Sequence, residues 1–121
     1  RTFGDVYGND AGHLEFQYTA RASYALNKAF GAPIGKAFGI TVGAPAGIGV
    51  VLADTAVKAA TVDVIGYASP AGGTSYSNEV ISFLSGDSGA VRQAIIAARE
   101  VGIPLLGALG AKPESTTTPY I

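Results

Sequence analysis

Cysteine is absent from this 121-residue sequence, and histidine occurs once. Without thiols the chain builds no disulfide framework, no thiolate zinc site and no sulfur-held iron cluster. That usage suits a reducing compartment and makes the cytoplasm the expected location. One imidazole and scattered carboxylates give no metal-ligand spacing, so neither a metal nor another cofactor is expected. Charge is scarce: Asp, Glu, Lys and Arg make up 14% of the residues, against about 25% in an ordinary domain. Eight basic and nine acidic residues leave a net charge of -1 with no dense basic patch, a balance that excludes nucleic acid as a partner. Long apolar runs are missing too. Although 48% of the residues are hydrophobic, no run approaches the roughly 18 to 20 residues that cross a bilayer, and no charged-then-apolar leader opens the chain. A soluble protein with no lipid-membrane partner is expected.

What the sequence does have is small residues, 17 glycines among them. The length fits one hydrophobic core, since single domains commonly hold roughly 100 to 150 residues. Arg1 opens the chain directly into "RTFGDVYGND", which is read as a piece of something longer. So little charge on so small a domain implies a surface covered by other subunits.

Residues 13–20, "HLEFQYTA", alternate Leu14, Phe16, Tyr18 and Ala20 against His13, Glu15, Gln17 and Thr19, the period of a strand with one buried face. "RASYALNKAFG" then predicts a short helix stopped by Gly31. Residues 36–44 read as a buried strand, and residues 48–60 as a helix packed on a sheet, with Asp54 and Lys58 four apart. Two strands, 62–69 and 79–85, flank the polar loop "PAGGTSYSN". A last helix after Gly86 buries Val91, Ala94, Ile95 and Ala98 and is ended or kinked by Pro104. "AKPESTTTPYI", residues 111–121, is a tail with too little apolar surface to fold alone.

Gly86-Asp87-Ser88-Gly89 carries the four letters around a chymotrypsin-like serine nucleophile. The signature breaks off at Ala90-Val91, where amides for an oxyanion hole would follow. Asp87 and Ser88 are good helix-capping chemistry instead, and nothing places His13 beside Ser88, so no catalytic residue is assigned. "GAPIGKA", Gly31 to Ala37, is one residue short of a phosphate loop and has Ala37 in place of the metal-holding hydroxyl. "GAPAGIG", Gly43 to Gly49, lacks dinucleotide-loop spacing. "GGTSYSN" gathers hydroxyls, an amide and an aromatic that no core needs, and so offers a surface for small polar solutes, more so if copies converge on an axis.

Taken together, "GVVLADTAVKAATVDVIGY", "SGDSGAVRQAI" and the order of the strands resemble the bacterial microcompartment (BMC) shell domain. In that family a helix reading A-D-x-x-x-K-A-A-x-V precedes two strands, and G-D-x-x-A-V opens a second helix. Ala53 to Lys58, Val62 and Gly86 to Val91 supply those letters. The family's closing strand, Arg-containing turn and short helix come first here, in "HLEFQYTARASYALNKAF", as in a circular permutation. "RTFGDVYGN", "QYTARASYAL", "FGAPIG" and "TPYI" are similar to the second half of the tandem-domain shell proteins of ethanol and propanediol utilisation.

The resemblance implies an α+β fold, a permuted BMC domain over residues 1–110 in which a four-stranded antiparallel sheet carries helices on one side. Residues 111–121 form its tail, and a first domain copy lies outside this chain. It further implies a homotrimer that tiles laterally with itself and with other BMC shell proteins around encapsulated enzymes, with no chemistry of its own. Lys58 matches the family's tile-edge lysine and Arg21 its edge-turn arginine. The pore loop corresponds to residues 69–78, where Ser69, Gly72, Gly73, Thr74, Ser75, Tyr76, Ser77 and Asn78 are the candidates for contact with small alcohols or glycerol. A trimeric regulatory domain that senses a metabolite through the same loop is the alternative reading.

Overall fold

A computed structural model describes residues 2–69 and 79–115, with residues 2 and 3 described through their backbone alone. The elements run β1 (Thr2–Gly8), β2 (His13–Thr19), α1 (Tyr24–Phe30), β3 (Ala37–Ala44), α2 (Ala46–Ala59), β4 (Asp63–Ala68), β5 (Val80–Gly86), α3 (Ser88–Leu109) and β6 (Glu114–Ser115). All neighbouring strands pair antiparallel, in the order β4-β5-β3-β2-β1-β6.

The fold class is the expected α+β arrangement, but the sheet has six strands rather than four. The first addition is β1, which pairs with β2 along its whole length from Thr2↔Thr19 to Gly8↔His13. Asn9 shapes the turn between them: its Oδ1 accepts from the Ala11 and Gly12 amides, and its Nδ2 donates to the Leu106 and Ala111 carbonyls. One side chain thereby closes the hairpin and ties it to the end of α3. The second addition is β6, which places Glu114 and Ser115 opposite Gly8 and Tyr7. The segment read as a tail thus begins as an edge strand.

Successive side chains of a strand point to opposite faces. Leu14, Phe16 and Tyr18 of β2 are buried in one cluster with Leu52 and Ala56 of α2, Leu84 of β5, and Val91, Ile95, Ala98 and Leu106 of α3. Helices α2 and α3 therefore cover a single face, as the sequence pattern requires. The contact is close because glycines make it. A Cβ on Gly43 would stand 2.5 Å from the Gly49 nitrogen, and one on Gly49 would stand 2.6 Å from Val80 Cβ. Pro104 does not end α3, which runs on to Leu109. The proline removes one donor on the solvent side, where Glu100, Val101 and Pro104 are exposed, while buried Gly102 and Leu106 hold the helix to the core.

The covered face also holds buried polar groups, each with a partner. Thr41 Oγ1 and Ser82 Oγ hydrogen-bond across β3 and β5. The Asp5 carboxylate, fully buried, accepts from Tyr7 Oη at 2.7 Å, Ser115 Oγ at 3.2 Å and Arg99 Nη1 at 3.4 Å. Burial, reinforced by the hydrogen bond to Asp5, pushes the Tyr7 phenol from 10.0 up to about 12.

Helix α1 lies over the opposite, open face rather than with the long helices. It stops at Gly31, whose φ of 74° is left-handed. It is held there by aromatic contact: Phe30 stacks on Phe38 at 5.5 Å and on Phe83 at 4.9 Å between ring centroids. Ala22, Ala32 and Phe38 form a second small core with Leu26, Ile40, Ile65 and Phe83 around it.

Candidate functional site

The polar segment singled out in the sequence joins β4 to β5. Gly72, Gly73, Thr74, Ser75, Tyr76, Ser77 and Asn78 lie outside the described residues. The base of the segment is described. Ser69 Oγ donates to the Glu79 carbonyl oxygen at 3.0 Å, and the Glu79 carboxylate meets His13 Nε2 at 3.2 Å. Register explains how β2 reaches this point. His13 pairs with Ala44 of β3, and Gly43 pairs with Val80, so Glu79 falls beside Ala44 on the far side of β3. Two strand spacings put the His13 and Glu79 backbones roughly 10 Å apart. Their side chains meet because only a methyl group stands between them. Periodicity alone gives no sign of this pair, since its members are far apart in the chain and share no motif.

The two residues assigned to a tile edge are separate. Lys58 is exposed in the last turn of α2, where Nζ contacts Asp54 Oδ2 at 2.7 Å, the pairing expected of their four-residue spacing. Arg21 is exposed just beyond β2, on the approach to α1. No hydrogen bond or ion pair joins them among the described residues.

The Ser88 region starts a helix, as its letters indicate, with Asp87 at the N-cap and the Val91 amide donating to the Asp87 carbonyl at 2.9 Å. The expected side-chain cap is not made: Asp87 forms no side-chain hydrogen bond to the helix amides. Ser88 instead uses its carbonyl, which accepts from Tyr18 Oη at 3.1 Å. It follows Gly86, which pairs with Ala37 at the start of β3, while His13 pairs with Ala44 at the end. The sheet holds the two roughly 23 Å apart. They form no nucleophile and base pair.

Sequence reading did not find a groove on the open face. About 730 Å³ in volume, it lies between α1 and strands β1 to β3, and its walls include Gly4, Gln17, Arg21, Leu26, Phe30 and Ile40. Four elements contribute to it, so no local signal announces it.

With this geometry in place the comparisons are decisive about kinship. The BMC domain family matches residues 37–111, more than half of the chain, and the chain belongs to that family. The match begins at β3. The strand β2 and the helix α1 precede it in sequence, yet β2 lies directly beside β3 in the sheet, as a circularly permuted domain requires. Over all 121 residues the chain is 66% identical to the bacterial microcompartment shell protein PduB of Citrobacter freundii, of which it covers 45%. It superimposes with a TM-score of 0.88 on a crystal structure of a trimeric bacterial microcompartment shell protein PduB, at 54% identity, covering 100% of this chain and 53% of that one. EtuB from Clostridium kluyveri also gives a TM-score of 0.88, at 55% identity over 96% of this chain and 51% of its own. The chain thus spans about half the length of the relatives it matches.

Proposed function

We propose that this chain is one BMC domain of a tandem shell protein that assembles as a trimer and tiles into the wall of a bacterial microcompartment, with no catalytic role. The observation that carries the reading is the full-length likeness to trimeric PduB at a TM-score of 0.88, spanning half of that chain. Exposed apolar side chains support it. Ile34 is 63% exposed, Tyr24 62% and Tyr67 79%, a cost in an isolated domain that neighbouring domains remove. No helix among the described residues is long and apolar enough to cross a membrane.

Within this reading, residues 1–110 are the domain and 111–121 its tail, which is tied to the sheet at its start through β6. Lys58 and Arg21 serve the tile edge, other BMC shell proteins and the enclosed enzymes are the partners, and the loop 69–78 lines a passage for small alcohols or glycerol. The anchoring of Ser69 and Glu79 supports a fixed loop base. The test images the full-length protein at high concentration. Sheets or tubes are expected from the wild type. Lys58→Asp is expected to give intact trimers that no longer associate laterally, because the reversed charge lies at an exposed edge and outside the core. Isolated wild-type trimers at every concentration, or dissociation of the Lys58→Asp trimer, overturn the tiling assignment. For passage, solute leakage from assembled shells is expected to change when Thr74 and Ser75 are replaced by charged residues.

A further inference from the structure

We propose that the groove between α1 and the open face of the sheet binds a small aliphatic carboxylate. This goes beyond the shell reading, which gives the groove no ligand. Its volume, roughly 730 Å³, falls within the range of small-molecule pockets. The floor is apolar and comes from separate elements: Leu26 and Phe30 from α1, Phe38 and Ile40 from β3. The stacked rings of Phe30, Phe38 and Phe83 make that floor rigid. The space exists because Gly4 carries no side chain. A Cβ there would find only Gln17 Cγ, at 4.0 Å.

Among the polar residues that border this floor, Thr19 Oγ1 donates to the Arg21 carbonyl at 3.4 Å, whereas the side chains of Ser23, Gln17 and Arg21 have no partner among the described residues. Ser23 precedes α1, but its hydroxyl makes no cap hydrogen bond. The Gln17 amide and the Arg21 guanidinium are exposed, and neither takes part in a side-chain hydrogen bond or an ion pair there. Among the described residues of the lining Arg21 is the one that carries charge, so charge complementarity selects an anion. A guanidinium fork suits a planar carboxylate. The apolar floor selects a short hydrocarbon tail.

The test uses the full-length protein as soluble trimers, titrated separately with hexanoate and hexan-1-ol and followed by calorimetry and ligand-observed NMR. Hexanoate is expected to bind saturably and about tenfold more tightly than hexan-1-ol, the margin of a charge-assisted over a neutral hydrogen bond. Arg21→Gln is expected to bring hexanoate down to the level of hexan-1-ol, and Arg21→Lys to retain part of the difference. Gly4→Phe fills the space and is expected to abolish binding of both compounds. Gln17→Trp narrows the same space from an exposed position and serves as the second filling variant. Equal binding of the two compounds, an Arg21→Gln protein that still prefers hexanoate, or no saturable binding overturns the proposal. The last outcome includes a groove covered by the neighbouring domain, and it leaves the tiling test untouched.

Discussion

The two faces of the sheet solve different problems with different residues. On the face under α2 and α3, glycines admit the helices to backbone distance and the core fills with Leu14, Phe16, Leu84 and Ile95, all fully buried. Polar groups there are buried with partners, as the Asp5 cluster and the Thr41 to Ser82 hydrogen bond show. On the open face the large aromatic rings lie near the surface, α1 covers only one end, and polar side chains such as Gln17 and Arg21 reach solvent. The first face holds the larger hydrophobic core. In the readings proposed above, the second carries the surface that a partner or a small molecule meets.

Glycine substitutions test that division most severely. Gly49→Ala places a methyl group against Val80 Cβ, the Val80 carbonyl oxygen at 2.7 Å and the Gly43 carbonyl oxygen at 2.9 Å. Two of these are backbone atoms and cannot turn aside. Alanine favours a helix over glycine by about 1 kcal/mol, yet overpacking of this kind costs up to about 3 kcal/mol and dominates. Gly4→Ala on the open face meets nothing closer than 4.0 Å, and its effect is expected to stay within about 0.5 kcal/mol. Denaturant midpoints of the two variants measure the contrast, and equal midpoints would erase the distinction between the two faces.

The same division explains what the sequence disclosed. Strand β2 was legible because Leu14, Phe16 and Tyr18 alternate cleanly with polar residues, and α3 because Val91, Ala94, Ile95 and Ala98 repeat at helical spacing. Strand β1 was not, because its buried positions include Asp5, a charge where the pattern demands an apolar side chain, and because glycine occupies both Gly4 and Gly8. The hydroxyl of Tyr7 and the tertiary partners Arg99 and Ser115 help make that burial acceptable, and the latter two lie at the other end of the chain. Two-residue β6 has no pattern to read. The pore-loop and edge assignments came from family resemblance rather than periodicity, and the groove needs four elements assembled before it exists.

The Asp5 cluster gives the next effect in size, and its sign follows from Tyr7. The phenol is pushed from 10.0 up to about 12 in the folded protein, so below pH 10 both states keep the proton and stability does not respond to this group. Between pH 10 and about 12 the unfolded chain releases a proton that the folded chain retains, and stability falls as pH rises through that window. Tyr7→Phe removes the hydrogen bond to Asp5, costs about 1 kcal/mol at neutral pH, and is expected to flatten the alkaline decline. An unchanged alkaline slope in Tyr7→Phe would assign the decline to other groups.

The open face's own contact between His13 and Glu79 is expected to matter least for the whole domain and most for one place in it. His13 and Glu79 have side-chain exposures of 32% and 20%, so water weakens their attraction, and pairs of this kind contribute about 0 to 1 kcal/mol. His13→Gln is therefore expected to leave the unfolding midpoint nearly unchanged. Its effect concentrates where β2 reaches across Ala44 to the start of β5: the Glu79 and Val80 amides are expected to exchange several-fold faster with solvent, since local opening needs less energy than global unfolding. Ala44→Leu provides the geometric counterpart. It retains both polar side chains but interposes a branched side chain where a methyl group let them meet, so it reproduces the local exchange pattern if the tie depends on that gap. Should Ala44→Leu leave the amides as protected as wild type while His13→Gln exposes them, the small residue between the strands is not what brings the pair together.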